Sequence, residues 1–168
     1  ELNAALAMAY NCRGRAYRDN GDLNRALLDF SKAIELQPEF TDAFFYRGLT
    51  YGKLGAYENA ISDLEQVLQF DPSKGIAYYF IGLAYDAMGQ TKQGSENYGK
   101  ATDLFFTAVS KGDATSIQTF LSFAPRMVKI YYDEYGPRAY WQPLHLAAEY
   151  GHSNIAALLI QFSADTNA

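Results

Sequence analysis

The sequence predicts an all-α protein built as a helical-repeat solenoid. Three observations carry that expectation. Gly14, Gly48 and Gly82 recur every 34 residues, and Tyr17, Tyr51 and Tyr85 keep the same step. A second glycine series follows it, Gly21, Gly55 and Gly89. So do Ala26 and Ala60, Phe30 and Leu64, Ala33, Val67 and Ala101, and Pro38 and Pro72. A fixed period of this length marks units that bury their apolar faces against neighbours and not alone.

Each recurrent position has a physical reason. A glycine inside a helix costs about 1 kcal/mol relative to alanine. Gly14, Gly48 and Gly82 are tolerable if a second helix packs at that spot. Gly21, Gly55 and Gly89 fall where the first helix ends and a left-handed residue is wanted. Ala26 and Ala60 are small, so the second helix can approach the first. Pro38 and Pro72 follow the second helix, which proline stops. The unit is therefore a pair of antiparallel helices.

These residues resemble the tetratricopeptide repeat family: a large aromatic, Gly, Tyr, Gly, Ala, aromatic, Ala and Pro in order. The pattern places repeats at 7–40, 41–74 and 75–108, three helix pairs in all. The third departs, because Gly94 replaces the small Ala and no Pro closes it. Its second helix is expected to be looser or to run past residue 106. The first two repeats carry Arg13 with Asp29 and Arg47 with Asp63, whereas the third carries Ile81 and Asn97. The coincidence points to Arg–Asp pairs across helices, such as Arg13–Asp29 and Arg47–Asp63. Two solvated charges are the alternative, since exposed pairs contribute little.

After residue 108 the period changes. Gln142-Pro143-Leu144-His145-Leu146-Ala147-Ala148-Glu149-Tyr150-Gly151-His152, with Ile155 to Ile160 after it, resembles an ankyrin repeat at 143–168. Gln142 stands where Thr is usual and Tyr140 where the hairpin Gly is usual. Pro143 suits a helix start and Gly151 a helix end. A fainter copy at 104–124 resembles a degenerate first ankyrin repeat, making about two ankyrin repeats. Between them, 125–142 is an inserted loop or aromatic hairpin-like finger, with β-branched and aromatic residues around Tyr135-Gly136-Pro137. No Pro or Gly lies between Lys100 and Ser110. One helix from about Lys92 to about Ser110 is therefore expected to serve both repeat types, giving a continuous superhelix.

The ends read as those of a fragment of a larger repeat protein. Glu1-Leu2-Asn3-Ala4 aligns with Glu35-Leu36-Gln37-Pro38, so 1–6 is expected to be the tail of a preceding repeat. Apolar surface near Leu2, Leu6, Ile160 and Phe162 is then unmet packing and not a binding site.

Both resemblances imply a protein-interaction scaffold for a peptide or partner protein, and no enzyme. The first helices of a tetratricopeptide array line a concave groove. By register, Met8, Asn11, Arg15, Arg18 and Asp19 should face it, then Asp42, Phe45, Leu49 and Lys53, then Ile76, Tyr79, Leu83 and Asp86. Phe45, Leu49, Ile76, Tyr79 and Leu83 make an apolar strip with Asn11, Arg15 and Arg18 at one end. An amphipathic or extended peptide with an acidic end would suit it. The alternative is a groove closed by its own side chains. A second candidate site is the finger, where Tyr132, Tyr135, Arg138, Tyr140 and Trp141 are hot-spot residue types; the alternative for Trp141 is to cover the base of its own repeat. The clamp that related arrays use for the carboxylate tails of chaperones needs Lys, Asn and Arg. The matching places hold Asn11, Arg15, Asp42, Tyr46, Ile76 and Phe80, so such tails are not expected. The competing function is a structural or regulatory spacer that positions another domain and has no ligand of its own.

Composition narrows the rest. A net charge of −5 argues against nucleic acid and anionic membranes, which call for a basic face. One cysteine, Cys12, excludes an internal disulfide and suits an intracellular, cytoplasmic setting. It is expected to be a buried structural thiol. His145 has the place of the ankyrin structural histidine, and His152 that of a helix-entry residue. Zinc spacing and a phosphate loop are lacking, so no metal or cofactor is expected.

Overall fold

The structure, a computed structural model, describes residues 2–125 and 143–165, with no account of side chains at 163–165. Among the described residues every regular element is an α-helix. The helices are α1 Leu2–Asp19, α2 Leu23–Leu36, α3 Thr41–Lys53, α4 Tyr57–Phe70, α5 Gly75–Ala87, α6 Thr91–Lys111, α7 Ala114–Phe123, α8 Pro143–Glu149 and α9 Ser153–Asp165. The chain divides into two compact units, Glu1–Tyr98 and Gly99–Ala168.

In the first unit the repeat positions behave as their chemistry dictates. Gly21, Gly55 and Gly89 have φ of 83°, 76° and 74°, the left-handed turn that a residue with a Cβ resists. Phe30 lies against Gly14 and Leu64 against Gly48, so the helix glycines are the seats of the second helices. Ala26, Ala33, Ala43, Ala60, Leu64 and Val67 are buried between the helices. Asp22 caps α2 by accepting the Arg25 N–H, one donor otherwise lost at a helix start.

Arg13 Nε and Nη2 donate to the two carboxylate oxygens of Asp29 at 2.7 and 2.8 Å. Arg47 holds Asp63 in the same way, also at 2.7 and 2.8 Å. The pairing therefore lies within each repeat. Repeat three replaces it. Ile81 is buried, Asn97 turns back to the Gln93 carbonyl, and the Tyr98 ring packs on Gly82 while its hydroxyl donates to Asp86 at 2.8 Å.

Two expectations about helix limits resolve differently. Residues 2–6, the expected tail of a preceding repeat, continue into α1 without a turn. Ala4, a strong helix former, stands where Pro38 closes the next repeat, so nothing stops the helix. At the other end α6 runs unbroken over Thr91–Lys111, past residue 106, as the absence of Pro and Gly from 100–110 predicts.

In the second unit Phe105, Val109, Ile117, Phe120 and Leu121 are the buried residues of α6 and α7, with Phe105 and Phe120 edge to face at 5.3 Å between ring centroids. Leu146, Ala147, Ile155 and Leu159 bury the seam of α8 and α9. Gly112 and Gly151 adopt φ of 71° and 73° and end α6 and α8.

Candidate functional site

The candidate surface is built on the first helix of each pair. Asn11, Arg15 and Arg18 sit at i, i+4 and i+7 of α1, one face of the helix. α3 brings Tyr46 beneath the two arginines. The Arg15 guanidinium carbon lies 4.6 Å from the Tyr46 ring centroid and that of Arg18 4.9 Å, both at cation–π distance. Tyr46 is in turn fixed by stacking on Phe30 and by the edge of Phe45.

The two arginines differ in what balances their charge. Arg18 donates to Asp19 through Nε and Nη2. Among the described residues no carboxylate pairs with Arg15, and its side chain is exposed. One turn before it, Asn11 is only 4% exposed, and its buried Oδ1 has no hydrogen-bond partner among the described residues. A buried acceptor left unmade costs about 1–3 kcal/mol, so such atoms are seldom left so without reason.

The aromatic series continues across α3, α5 and α6. Phe45 meets Phe80, Phe80 meets Tyr79, and Tyr79 meets Tyr98, with ring centroids 6.0, 5.6 and 5.7 Å apart. Burial and the bond to Asp86 raise the Tyr98 hydroxyl above the usual phenol range. Lys74 donates to Asp42 at 2.9 Å and lies 5.2 Å from the Phe45 ring centroid.

Two members of the expected apolar strip are corrected. Phe45 and Ile76 are each 1% exposed, so they are core residues beneath the surface. Phe45 is covered by Tyr46, Phe80 and the Lys74 ammonium, whose pairing with Asp42 holds it there. Leu49 and Tyr79 are half-buried, Arg18 also, and Leu83 is 41% exposed. The accessible part of the strip is thus Leu49, Tyr79 and Leu83. The finger residues Tyr132, Tyr135, Arg138, Tyr140 and Trp141 lie outside the described residues.

Cys12 is exposed and not buried. It follows Asn11 and precedes Gly14 by two, which turns it off the inner stripe formed by Ala7, Asn11 and Gly14. His145 is exposed as well. His152 has a part that the spacing did not reveal: its Nε2 donates to the Ser110 carbonyl at 2.9 Å, and its ring lies against Gly112. Among the described residues no cluster of His, Cys, Asp or Glu could hold a metal ion, and no helix is long and apolar enough to cross a membrane.

Comparison with known proteins agrees with this geometry. Residues 14–55 match a TPR repeat model, and 41–74 and 76–106 match models of the tetratricopeptide repeat. Residues 140–168 match the ankyrin repeat. No curated protein matches the chain significantly in sequence. Among solved structures, MamA is similar with a TM-score of 0.57 and 30% identity, over 58% of this chain and 57% of that one. The chain thus spans little more than half of MamA. The second TPR of Spaghetti (RPAP3), bound to the HSP90 peptide SRMEEVD, has a TM-score of 0.59 and 22% identity over 61% of this chain and 95% of its own. The Arabidopsis OM64 TPR domain has a TM-score of 0.59 and 20% identity over 61% and 84%. At those identities the last two establish the shared fold alone.

Proposed function

We propose that this chain, tetratricopeptide repeats in its N-terminal part and an ankyrin repeat in its C-terminal part, binds a peptide or partner protein through the face of α1, α3 and α5. As a protein-interaction scaffold it needs a surface that offers both a polar anchor and apolar contact. The observation that carries the reading is Arg15 and Arg18 stacked on Tyr46, with Leu49 one turn further along α3. Guanidinium groups held on a ring are pre-organised, so little side-chain entropy is lost when a ligand arrives. Leu83 and Tyr79 on α5 extend the surface with apolar area. A structural relative with this fold is bound to a peptide, which supports the class of ligand. The residue set at the clamp positions argues against carboxylate tails of chaperones, because Asp42 is acidic and Ile76 is buried. A single free cysteine at the surface fits a reducing, cytoplasmic setting. We read 104–124 as a degenerate ankyrin repeat preceding the one at 143–168, with the finger as a second contact surface.

The burial of Phe45 and Ile76 favours one other reading, a spacer whose groove is filled by its own side chains. A peptide array separates the two. The intact chain should retain a reproducible set of peptides, and Leu49→Arg with Tyr79→Ala should lose them while the far-ultraviolet circular dichroism stays helical. Peptides retained equally by the double variant would move the site off this face. An array with no retained peptide would favour the spacer.

A further inference from the structure

We infer that the outer face of α1, built on Ala5, Ala9, Cys12, Arg13 and Ala16, docks an amphipathic helix of a partner protein, one that presents a bulky apolar residue followed directly by a hydroxyl. This surface is separate from the face of α1, α3 and α5 and does not depend on it. The five residues share one side of the helix, opposite the buried stripe of Ala7, Asn11 and Gly14, and all five are exposed. Leu6 and Met8, 45% and 60% exposed, widen the apolar area.

The same face is covered in the next two repeats. One period on, Ala9, Cys12, Arg13 and Ala16 become Ala43, Tyr46, Arg47 and Thr50. Two periods on they become Ala77, Phe80, Ile81 and Ala84. None of these later residues is exposed, and Ala43, Thr50, Ala77, Ile81 and Ala84 are buried. The cover is the second helix of the repeat before: α2 packs on α3, and α4 on α5. On α3 its chemistry is visible, because Phe30 stacks on Tyr46 and the Ser31 hydroxyl accepts from Arg47 Nη1 at 3.1 Å.

α1 keeps the receiving half of that contact. Arg13 binds Asp29 through Nε and Nη2, as Arg47 binds Asp63, and Tyr10 and Tyr17 flank its guanidinium. Its Nη1 has no acceptor among the described residues, and its side chain is 58% exposed against 19% for Arg47. A hydroxyl placed like that of Ser31 would meet this nitrogen. Cys12 is far smaller than Tyr46, so the arriving helix must supply the missing volume, which calls for an aromatic or long aliphatic side chain. A second copy of this chain is not the occupant, because its α2 and α4 already lie on α3 and α5. The turn at 37–40 that leads α2 onto α3 has no counterpart at 3–6, which are helical, so a separate partner supplies the helix.

Cys12 is the chain's single cysteine and is exposed, so its alkylation by iodoacetamide reports whether the face is covered. The probe is a synthetic peptide of residues 22–37, the α2 sequence, because α1 shares with the face that α2 covers an alanine and an arginine at matching places. With peptide at ten times its Kd, alkylation of the intact chain should slow roughly tenfold. Ser31→Ala in the peptide should weaken protection roughly fivefold, and Phe30→Trp should strengthen it. Ala9→Glu in the chain, an exposed change, should restore the unprotected rate while the circular dichroism stays helical. Alkylation unaffected at the highest soluble peptide concentration would overturn the inference. So would equal protection by a scrambled peptide, or protection that survives Ala9→Glu. Protection that grows with protein concentration in the absence of peptide would overturn it in favour of a second copy.

Discussion

Arg47 grips Asp63 through two hydrogen bonds of 2.7 and 2.8 Å, joining α3 to α4, and the Asp63 side chain is only 7% exposed. The bond to Asp63 raises the arginine's affinity for its proton, so the pair stays charged at any ordinary pH. A third guanidinium nitrogen reaches the Ser31 hydroxyl of the repeat before, at 3.1 Å.

Breaking this pair strands a charge. Arg47→Ala should cost about 2–3 kcal/mol in urea unfolding, less than a fully buried pair because Arg47 keeps some exposure. Arg47→Leu with Asp63→Leu should cost less than Arg47→Ala alone. Arg13→Ala should be the milder change, since Arg13 is 58% exposed. Equal losses in the two repeats would contradict the burial argument.

The glycines divide by what faces them. A Cβ on Gly82 would meet Tyr98 Cε1 at 2.6 Å, whereas nothing lies within 4 Å of one on Gly52 or Gly99. Gly52→Ala and Gly99→Ala should each stabilise by up to about 1 kcal/mol, the helix preference of alanine. Gly82→Ala should destabilise, because the Tyr98 ring is pinned by Tyr79 and Asp86. Thermal unfolding of the three variants is the check.

Asp113 caps α7, accepting the Ser116 N–H at 3.1 Å and its hydroxyl at 2.6 Å. Those bonds lower its pKa below the ordinary 3.8. The carboxylate is therefore favoured in the folded state. Its contribution is complete above the unfolded value and is lost as pH falls through the lower folded one. Asp113→Ala should cost about 1 kcal/mol at pH 7. The gap between variant and parent should narrow as the pH falls below about 4.

Tyr98 has the opposite sign. Burial first, and then the bond to Asp86, raise its pKa above the ordinary 10. The neutral phenol is favoured in the folded state, so its contribution is complete below pH 10 and lost as pH rises through the folded value. In an alkaline titration followed by tyrosine absorbance, Tyr98→Phe should remove a late-ionising group. Loss of an early one instead would contradict the packing described.

Much of the fold is legible in the sequence because repeat residues act locally. The glycine series sets the turns, and Arg13, Asp29, Arg47 and Asp63 announce their pairing by disappearing together in repeat three. The site is less legible. Register places Phe45 and Ile76 on the same face as Leu49 and Leu83, but it cannot count the side chains that neighbouring helices lay over them. Phe80 and Lys74 cover Phe45 from α5 and its approach, which no single-helix pattern reveals. Register does not reveal Tyr46 as the platform for Arg15 and Arg18, because the contact joins α1 to α3. The exposure of Cys12 is hidden for a related reason: periodicity in α1 is weak, and only the packing of Asn11 and Gly14 shows which way the residue between them turns.

The central claim is that the face of α1, α3 and α5 binds peptide. Hydrogen–deuterium exchange of the intact chain, with and without a peptide recovered from the array, tests it most directly. The account predicts added protection in 8–19, 42–53 and 76–87, strongest around Asn11, Arg15 and Tyr46. Protection confined to 143–165, with those segments unchanged, would contradict it.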